Sequence, residues 1–330
     1  QSKFFDLRGN GDPSGLSFAP GAAERRQSQA KLFQQKLEWR AVHPIDNVTF
    51  GFLYYLGSPI PGAIEPAYLR ELALSIHALA CSAFEEKNVV VVTDTEESKA
   101  QLQVALHGVG DGAVSVRFQV VRIPQEVLGD PDDPGAKVFL AALDKCRKTS
   151  NVKAVQKGAG DEVLCYRVQM TMKIFSLAQS PFHATLSVDT DVFINFLLLP
   201  RHKPETFNMR SFKRILHSAD FVGVNVLCFR ADGCPFTPRG HNGGWLYYLL
   251  HPATKAFILD LAFFRMIHLF PMGHDQSHLE NEMLSGSHPS VSFQTMPRGW
   301  MCRGVDSVAM EGGMAWTMYG RKSSSSSSSS

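Results

Sequence analysis

Four consecutive valines, Val89–Val92, run into Thr93 and Asp94. A strand with no polar position on either face has to be covered on both, as in a parallel sheet sandwiched between helices. The neighbouring segments fit that condition. VTFGFLYYLG (48–57) is a β-rich run closed by Gly57, Ser58 and Pro59. Residues 67–84 carry Leu69, Leu72, Ile76 and Leu79 at helical spacing, and a short helix is expected over 98–107. VSVRFQVVRIP (114–124) reads as a strand, 163–179 as a helix stopping before Ser180-Pro181, and ATLSVDTDVFI (184–194) as a strand with a polar end. This alternation predicts an α/β fold with a mostly parallel central sheet and helices on both faces. Ligands on such sheets bind outside the carboxyl ends of the strands.

The 330 residues allow one large domain or two small ones. Residues 1–43 read as a Gly-, Pro- and Ser-rich lead followed by a polar helix (22–40), lying on the surface or forming a stem. The eight serines Ser323–Ser330 end a tail (321–330) that buries nothing. The folded part is expected over 44–320. Lys and Arg number 33 and Asp and Glu 31, a net charge of +2, which gives no general attraction to nucleic acid or anionic membrane. The apolar stretches Val192–Leu199 and Trp245–Phe270 are too short or too interrupted to span a bilayer and read as core. The first residue is Gln1, so any membrane attachment is expected from an anchor upstream of it. The six cysteines form no C-x-x-C pair, which argues against a zinc ribbon or thioredoxin-type site. They read either as six buried thiols or, for Cys234 and Cys302 in loop-like sequence, as a pair in an oxidising compartment. Asn47-Val48-Thr49 is a glycosylation acceptor if the chain is secretory.

Chemistry concentrates where the apolar strand ATLSV (184–188) meets Asp189-Thr190-Asp191. Two carboxylates at i and i+2 on a strand exit repel, which pushes one pKa up, and a divalent cation relieves that cost. All-oxygen ligation suits Mg²⁺ or Mn²⁺ rather than zinc, and such a cation commonly also holds substrate phosphates. The plainer alternative is an Asp-rich turn.

The segment MKIFSLAQSPFHATLSVDTDVFI (172–194) resembles glycosyltransferases of the GT-A fold, a Rossmann-like α/β fold. The resemblance is greatest to the glycogenin-like family 8 and related plant and algal nucleotide-diphospho-sugar transferases. In that family a helix supplies a lysine, and an apolar strand then leads to Asp-x-Asp. Lys173 matches the lysine. His241-Asn242-Gly243-Gly244 followed by WLYY resembles the family's Asn-Ser/Gly-Gly turn and strand, 251–267 its next helix, and Asp275-Gln276 its Asp-Gln pair. The resemblance covers roughly residues 48–302. It implies a metal-dependent transferase, with Mn²⁺ or Mg²⁺, moving a sugar from a nucleotide-diphosphate sugar (a UDP-sugar) to a glycan, glycoprotein or other hydroxyl acceptor with retention. It also implies residence in the Golgi or secretory lumen, as a type II membrane protein if an anchor precedes Gln1.

The site residues implied are Asp191 as metal ligand and Asp189 as ligand or ribose contact. Lys173 would face the diphosphate, with Arg167 upstream. Thr49, Tyr54, Tyr55, Gly57 and Ser58 would cup base and ribose, and Asn242, Gly243 and Gly244 would face the donor sugar. Asp275 and Gln276 would bond the sugar hydroxyls near the anomeric carbon, unless Asp275 is only a helix cap. The family's late histidine ligand has no counterpart in place. His288, earlier than expected, a histidine beyond the chain's end, or water would substitute. Two other classes compete. A catalytically inactive nucleotide-sugar-binding module would keep the fold without turnover. A zinc hydrolase would use His274 and His278, although Asp275 replaces the glutamate base of H-E-x-x-H. Gly108–Gly112 does not continue as a dinucleotide fingerprint and no G-x-S-x-G occurs.

Overall fold

The computed structural model describes residues 22–44, 47–58, 61–82, 86–110, 112–123, 133–148, 161–194, 219–225, 241–268, 270, 278–279, 281–283, 286–295, 301–303 and 315–317. The valine run is β2 (Asn88–Thr93), with every valine buried. It lies between β1 (Phe50–Tyr55) and β3 (Ser115–Val120), parallel to both. β4 (Ala184–Val188) flanks β1 on the other side, also parallel. The sheet continues through β7 (His241–Leu249), β6 (Phe221–Asn225) and β8 (Phe293–Thr295), giving the order β3-β2-β1-β4-β7-β6-β8. Only β7 runs antiparallel to its neighbours. A second, three-stranded sheet joins β5 (Val192–Ile194), β10 (Ala315–Thr317) and β9 (Met301–Arg303).

Alternate side chains of β1 feed two cores. Phe52 and Tyr54 face α2 (Pro66–Ala80), whose buried stripe is Leu72, Ser75, Ile76 and Leu79; α3 (Glu96–Ala105) adds Leu102. Pro66 opens α2 where its missing N–H costs nothing, and Thr95 caps α3 by accepting from the Ser98 N–H. Leu53 faces the opposite core, built by α4 (Pro134–Lys148), α5 (Asp161–Leu177) and α6 (Pro252–Asp260), which continues as a π-helical stretch Leu261–Ile267. The burial alternation explains why β1 tolerates no polar residue.

The elements of the valine-run half lie close to where the sequence placed them. α4 has no counterpart in the sequence reading, and the polar end of 184–194 is a separate turn leading into β5. α4 and α5 are joined by a disulfide between Cys146 and Cys165 (Cα–Cα 5.7 Å). That corrects one of the two readings the sequence left open, six buried thiols, and is a different pair from Cys234 and Cys302. Both cysteines are buried, one in each helix, so spacing alone did not relate them. Cys234 lies outside the described residues, and Cys81 is free and exposed.

The polar helix α1 (Ala22–Val42) is docked on the amino edge of the sheet. Lys36 bonds the carboxylate of Asp220 and the Ser290 carbonyl, and Arg40 reaches Asp220 at 2.7 Å. Trp39 stacks on His43 and meets His183 and His251 edge-on. Few apolar positions are needed because the helix is held by charge and aromatic contacts.

Candidate active site at the carboxyl edge of the sheet

β1, β2 and β4 end side by side, since Tyr54 pairs in register with both Val91 and Val188. Three acids follow at that edge: Asp94 after β2, and Asp189 and Asp191 after β4. The Asp189–Val192 turn is closed by the Val192 N–H donating to the Asp189 carbonyl at 3.0 Å. The Asp189 N–H donates to the Gly244 carbonyl at 2.9 Å, which fixes the turn against β7.

The two carboxylates of this turn have different surroundings. Asp189 accepts from Lys173 Nζ at 2.6 Å. Lys173 is buried on α5 and its partner half-exposed. Asp191 faces the other layer. Burial pushes its carboxyl up to about 6, reinforced by the negative charges of Asp189 and Glu71 and opposed by its own backbone N–H and Lys173. Two carboxylates two positions apart, with Glu71 near Asp191, make this edge rich in oxygen donors. That donor set fits a hard divalent cation, which takes oxygen ligands. Among the described residues no group of three or more acid, histidine or cysteine side chains is arranged to hold a metal. A cation here would complete its shell with substrate oxygens and water, the habit of Mg²⁺.

The exit of β1 is shaped by Gly57. A Cβ at Gly57 would collide with the Tyr55 hydroxyl and stand 3.3 Å from Asp94 Oδ2. The Ser58 N–H donates to Asp94 at 3.3 Å, and the Ser58 hydroxyl to the Ala63 carbonyl at 3.1 Å. Burial raises Asp94, against the bonds from Ser58 and Thr93. The Tyr55 hydroxyl is buried without a partner among the described residues, and burial and Asp94 push it well above the ordinary tyrosine value. Arg167 lies six residues before Lys173 on half-buried α5 surface, and its buried Nε and Nη1 have no hydrogen-bond partner among the described residues.

The structure thus brings Tyr55, Gly57, Ser58, Lys173, Asp189, Asp191 and Gly244 to one edge. It separates three other residues from them. Thr49 precedes β1 and exchanges bonds with His183 at the amino edge (Thr49 Oγ1 to His183 Nδ1, 3.2 Å), so it cannot cup a base at the carboxyl edge. Tyr54 is fully buried and its hydroxyl meets Ser75 at 3.0 Å, a support for α2 rather than a ligand contact. His288 also belongs to the amino edge, four residues before the Ser292 N–H that bonds Asp220. Its Nε2 meets Glu282 at 3.0 Å and its ring packs edge-on to Phe257, so it does not serve as the third metal ligand. Its place before a strand running parallel to β4 decides this. Asn242 and Gly243 lie on β7 in backbone only, and Asp275, Gln276 and His274 lie outside the described residues. His278 is buried.

Sequence reasoning missed Asp94, Glu71 and Tyr68. Asp94 carried the same signal as Asp189, an acid ending an apolar run. Glu71 and Tyr68 carried none, because only the crossing of α2 over the sheet brings them to Asp191.

No family model matches the chain, and no curated protein does. Among solved structures it is similar to mouse xyloside xylosyltransferase 1 in its apo form, at 15% identity and a TM-score of 0.43, over 81% of this chain and 97% of that one. It is also similar to the glycosyltransferase GlyE of Streptococcus pneumoniae TIGR4, at 13% identity and a TM-score of 0.38. An apo form of GlyE aligns at 10% identity and a TM-score of 0.36. This chain spans 46% of the GlyE chains, and 77% of it is covered by each.

Proposed function

We propose that the chain is a glycosyltransferase that moves a sugar from a UDP-sugar to an acceptor hydroxyl, with a divalent cation held by Asp189 and Asp191. The observation that carries this is the acid pair at the carboxyl edge, where one carboxylate is clamped at 2.6 Å by a buried lysine and the other is pushed up to about 6. Such an excess of carboxylate at a sheet exit suits a cation shared with a diphosphate.

Each residue then has a role. Asp189 and Asp191 supply oxygen ligands. When bound, Mn²⁺ or Mg²⁺ supplies Lewis-acid stabilisation of the leaving diphosphate. Lys173 orients Asp189 and places positive charge beside the same anion. Arg167 brings two unpartnered N–H groups on the same helix. The Ser58 bond to Asp94 fixes the β1 exit, and Gly57 lets the Tyr55 hydroxyl lie close against it; the nucleoside would lie along this exit. The acceptor oxygen bonds to the anomeric carbon as the bond from that carbon to UDP breaks, and the acceptor's proton passes to the departing UDP oxygen. Retention of configuration rests on the family resemblance alone.

The Cys146–Cys165 disulfide, with the exposed Asn47 sequon, supports a secretory compartment such as the Golgi lumen. No helix among the described residues is long and apolar enough to cross a membrane.

The test is UDP release from a panel of UDP-sugars, with and without Mn²⁺, and NMR of the product's anomeric signal. Manganese-dependent release that Asp191→Ala abolishes supports the reading. Metal-independent release, or full activity in Asp191→Ala, overturns the metal role. Saturable UDP-sugar binding with no turnover assigns the chain to the inactive binding class.

A further inference from the structure

The stripe by which α2 packs on the sheet does not stop at the sheet's edge. Leu72, Ser75, Ile76 and Leu79 are fully buried. The Ser75 hydroxyl donates to the Val192 carbonyl at 2.6 Å, which holds α2 against the residue following Asp191. One turn before Leu72, the same row continues as Tyr68, and one turn before Ser75 stands Glu71. Tyr68 is 48% exposed. It stands on the first turn of α2, beyond the strand ends, in the electrostatic field of Asp191, Glu71 and Glu65.

This flank differs in charge from the α5 flank, where Lys173 and Arg167 stand. Glu65 and Glu71 beside Tyr68, to which no divalent cation is assigned, disfavour a diphosphate. They are good acceptors for neutral hydroxyl groups, and the open ring offers a flat apolar face held by a packed helix. An apolar face rimmed by carboxylates matches a sugar ring, whose C–H face stacks while its hydroxyls donate. We infer that Tyr68 is the stacking platform for a carbohydrate acceptor, with Glu71 accepting from its hydroxyls, and that the acceptor is therefore a glycan. This rests on the transferase reading above and names the substrate class on its second side.

The test uses the full chain and two variants, Tyr68→Ala and Tyr68→Phe, with methyl glycosides of common hexoses and pentoses as probes. Saturation-transfer NMR reads glycoside binding without donor, metal or turnover. Signals for at least one glycoside are expected with wild type and Tyr68→Phe and not with Tyr68→Ala. In turnover assays Tyr68→Ala is expected to raise acceptor KM about tenfold, the size of a lost aromatic contact. Donor KM and acceptor-free UDP release should stay unchanged. An absent signal with wild type, an unchanged acceptor KM in Tyr68→Ala, or a rise in donor KM instead overturns the inference. Glycoside binding lost in Tyr68→Ala, in a wild type that releases no UDP from any donor, sinks the transferase reading while the platform stands.

Discussion

The two edges of the sheet each hold an acid beside basic side chains, and the two acids behave in opposite ways. At the amino edge Asp220 is wholly buried. Burial alone would raise its carboxyl, but His251, Lys36 and Ser292 outweigh that and hold it well below the usual range. It accepts from Arg40 at 2.7 Å, from His251 at 2.9 Å, and from the Ser292 N–H and hydroxyl at 2.8 and 2.7 Å. At the carboxyl edge Asp191 is partly open, faces Asp189 and Glu71, and is raised. An acid surrounded by donors from α1, α6 and the β8 approach has no capacity left for a ligand. An acid with other acids beside it suits a cation as ligand. Charge alone does not separate a structural carboxylate from a binding one; the sign of what surrounds it does.

Substitutions at the two edges sharpen this contrast, the largest effect coming from the amino edge. Asp220→Ala leaves Lys36 and His251 facing a void and should cost about 3–5 kcal/mol of stability, read as a fall in the urea midpoint. A loss below 1 kcal/mol would mean that the amino-edge network is ornamental. Asp191→Ala should leave the fold intact and lower UDP-sugar turnover about 10²–10³-fold, as removal of one electrostatic stabiliser does. Lys173→Met should lower turnover by about 10–100-fold, the worth of one charged hydrogen bond, and raise the pKa of Asp191, which Lys173 now restrains.

The smallest effect is a pH-dependent one of opposite sign at the two edges. A carboxyl raised in the fold binds its proton more tightly folded than unfolded, so Asp191 costs the metal-free protein stability as pH rises from the ordinary carboxylate range to about 6, and the full cost persists above it. Asp191→Asn should therefore stabilise it at pH 7 by about 1 kcal/mol after allowance for screening, with the gain gone at pH 4. Manganese affinity should weaken as pH falls below about 6. Asp220, with a depressed pKa, contributes stability that is present above the ordinary carboxylate range and lost as pH falls below it. Thermal melts of wild type and Asp191→Asn from pH 3 to 8 check both signs.

The carboxyl edge was legible in the chain because apolar runs ending in acids mark strand exits, as Val188-Asp189 does. The amino edge was not. Asp220 follows no such run, and its partners Lys36, Arg40, His251 and Ser292 are scattered over more than 250 positions of sequence. The same blindness assigned Thr49 and His288 to the wrong edge and left Cys146 and Cys165 unpaired, since a position in sequence carries no direction across a sheet.

Residue order and hydrophobic period determined the strands and helices of the valine-run half, their parallel arrangement and the acid pair at a strand exit, because each depends on neighbours a few residues apart. Folding in three dimensions decided which residues stand beside that pair, which acid is neutralised, which helix faces it and which cysteines join. Those depend on contacts between segments far apart in the chain, and only the packing of α2 and α5 on opposite faces of one sheet brings them together.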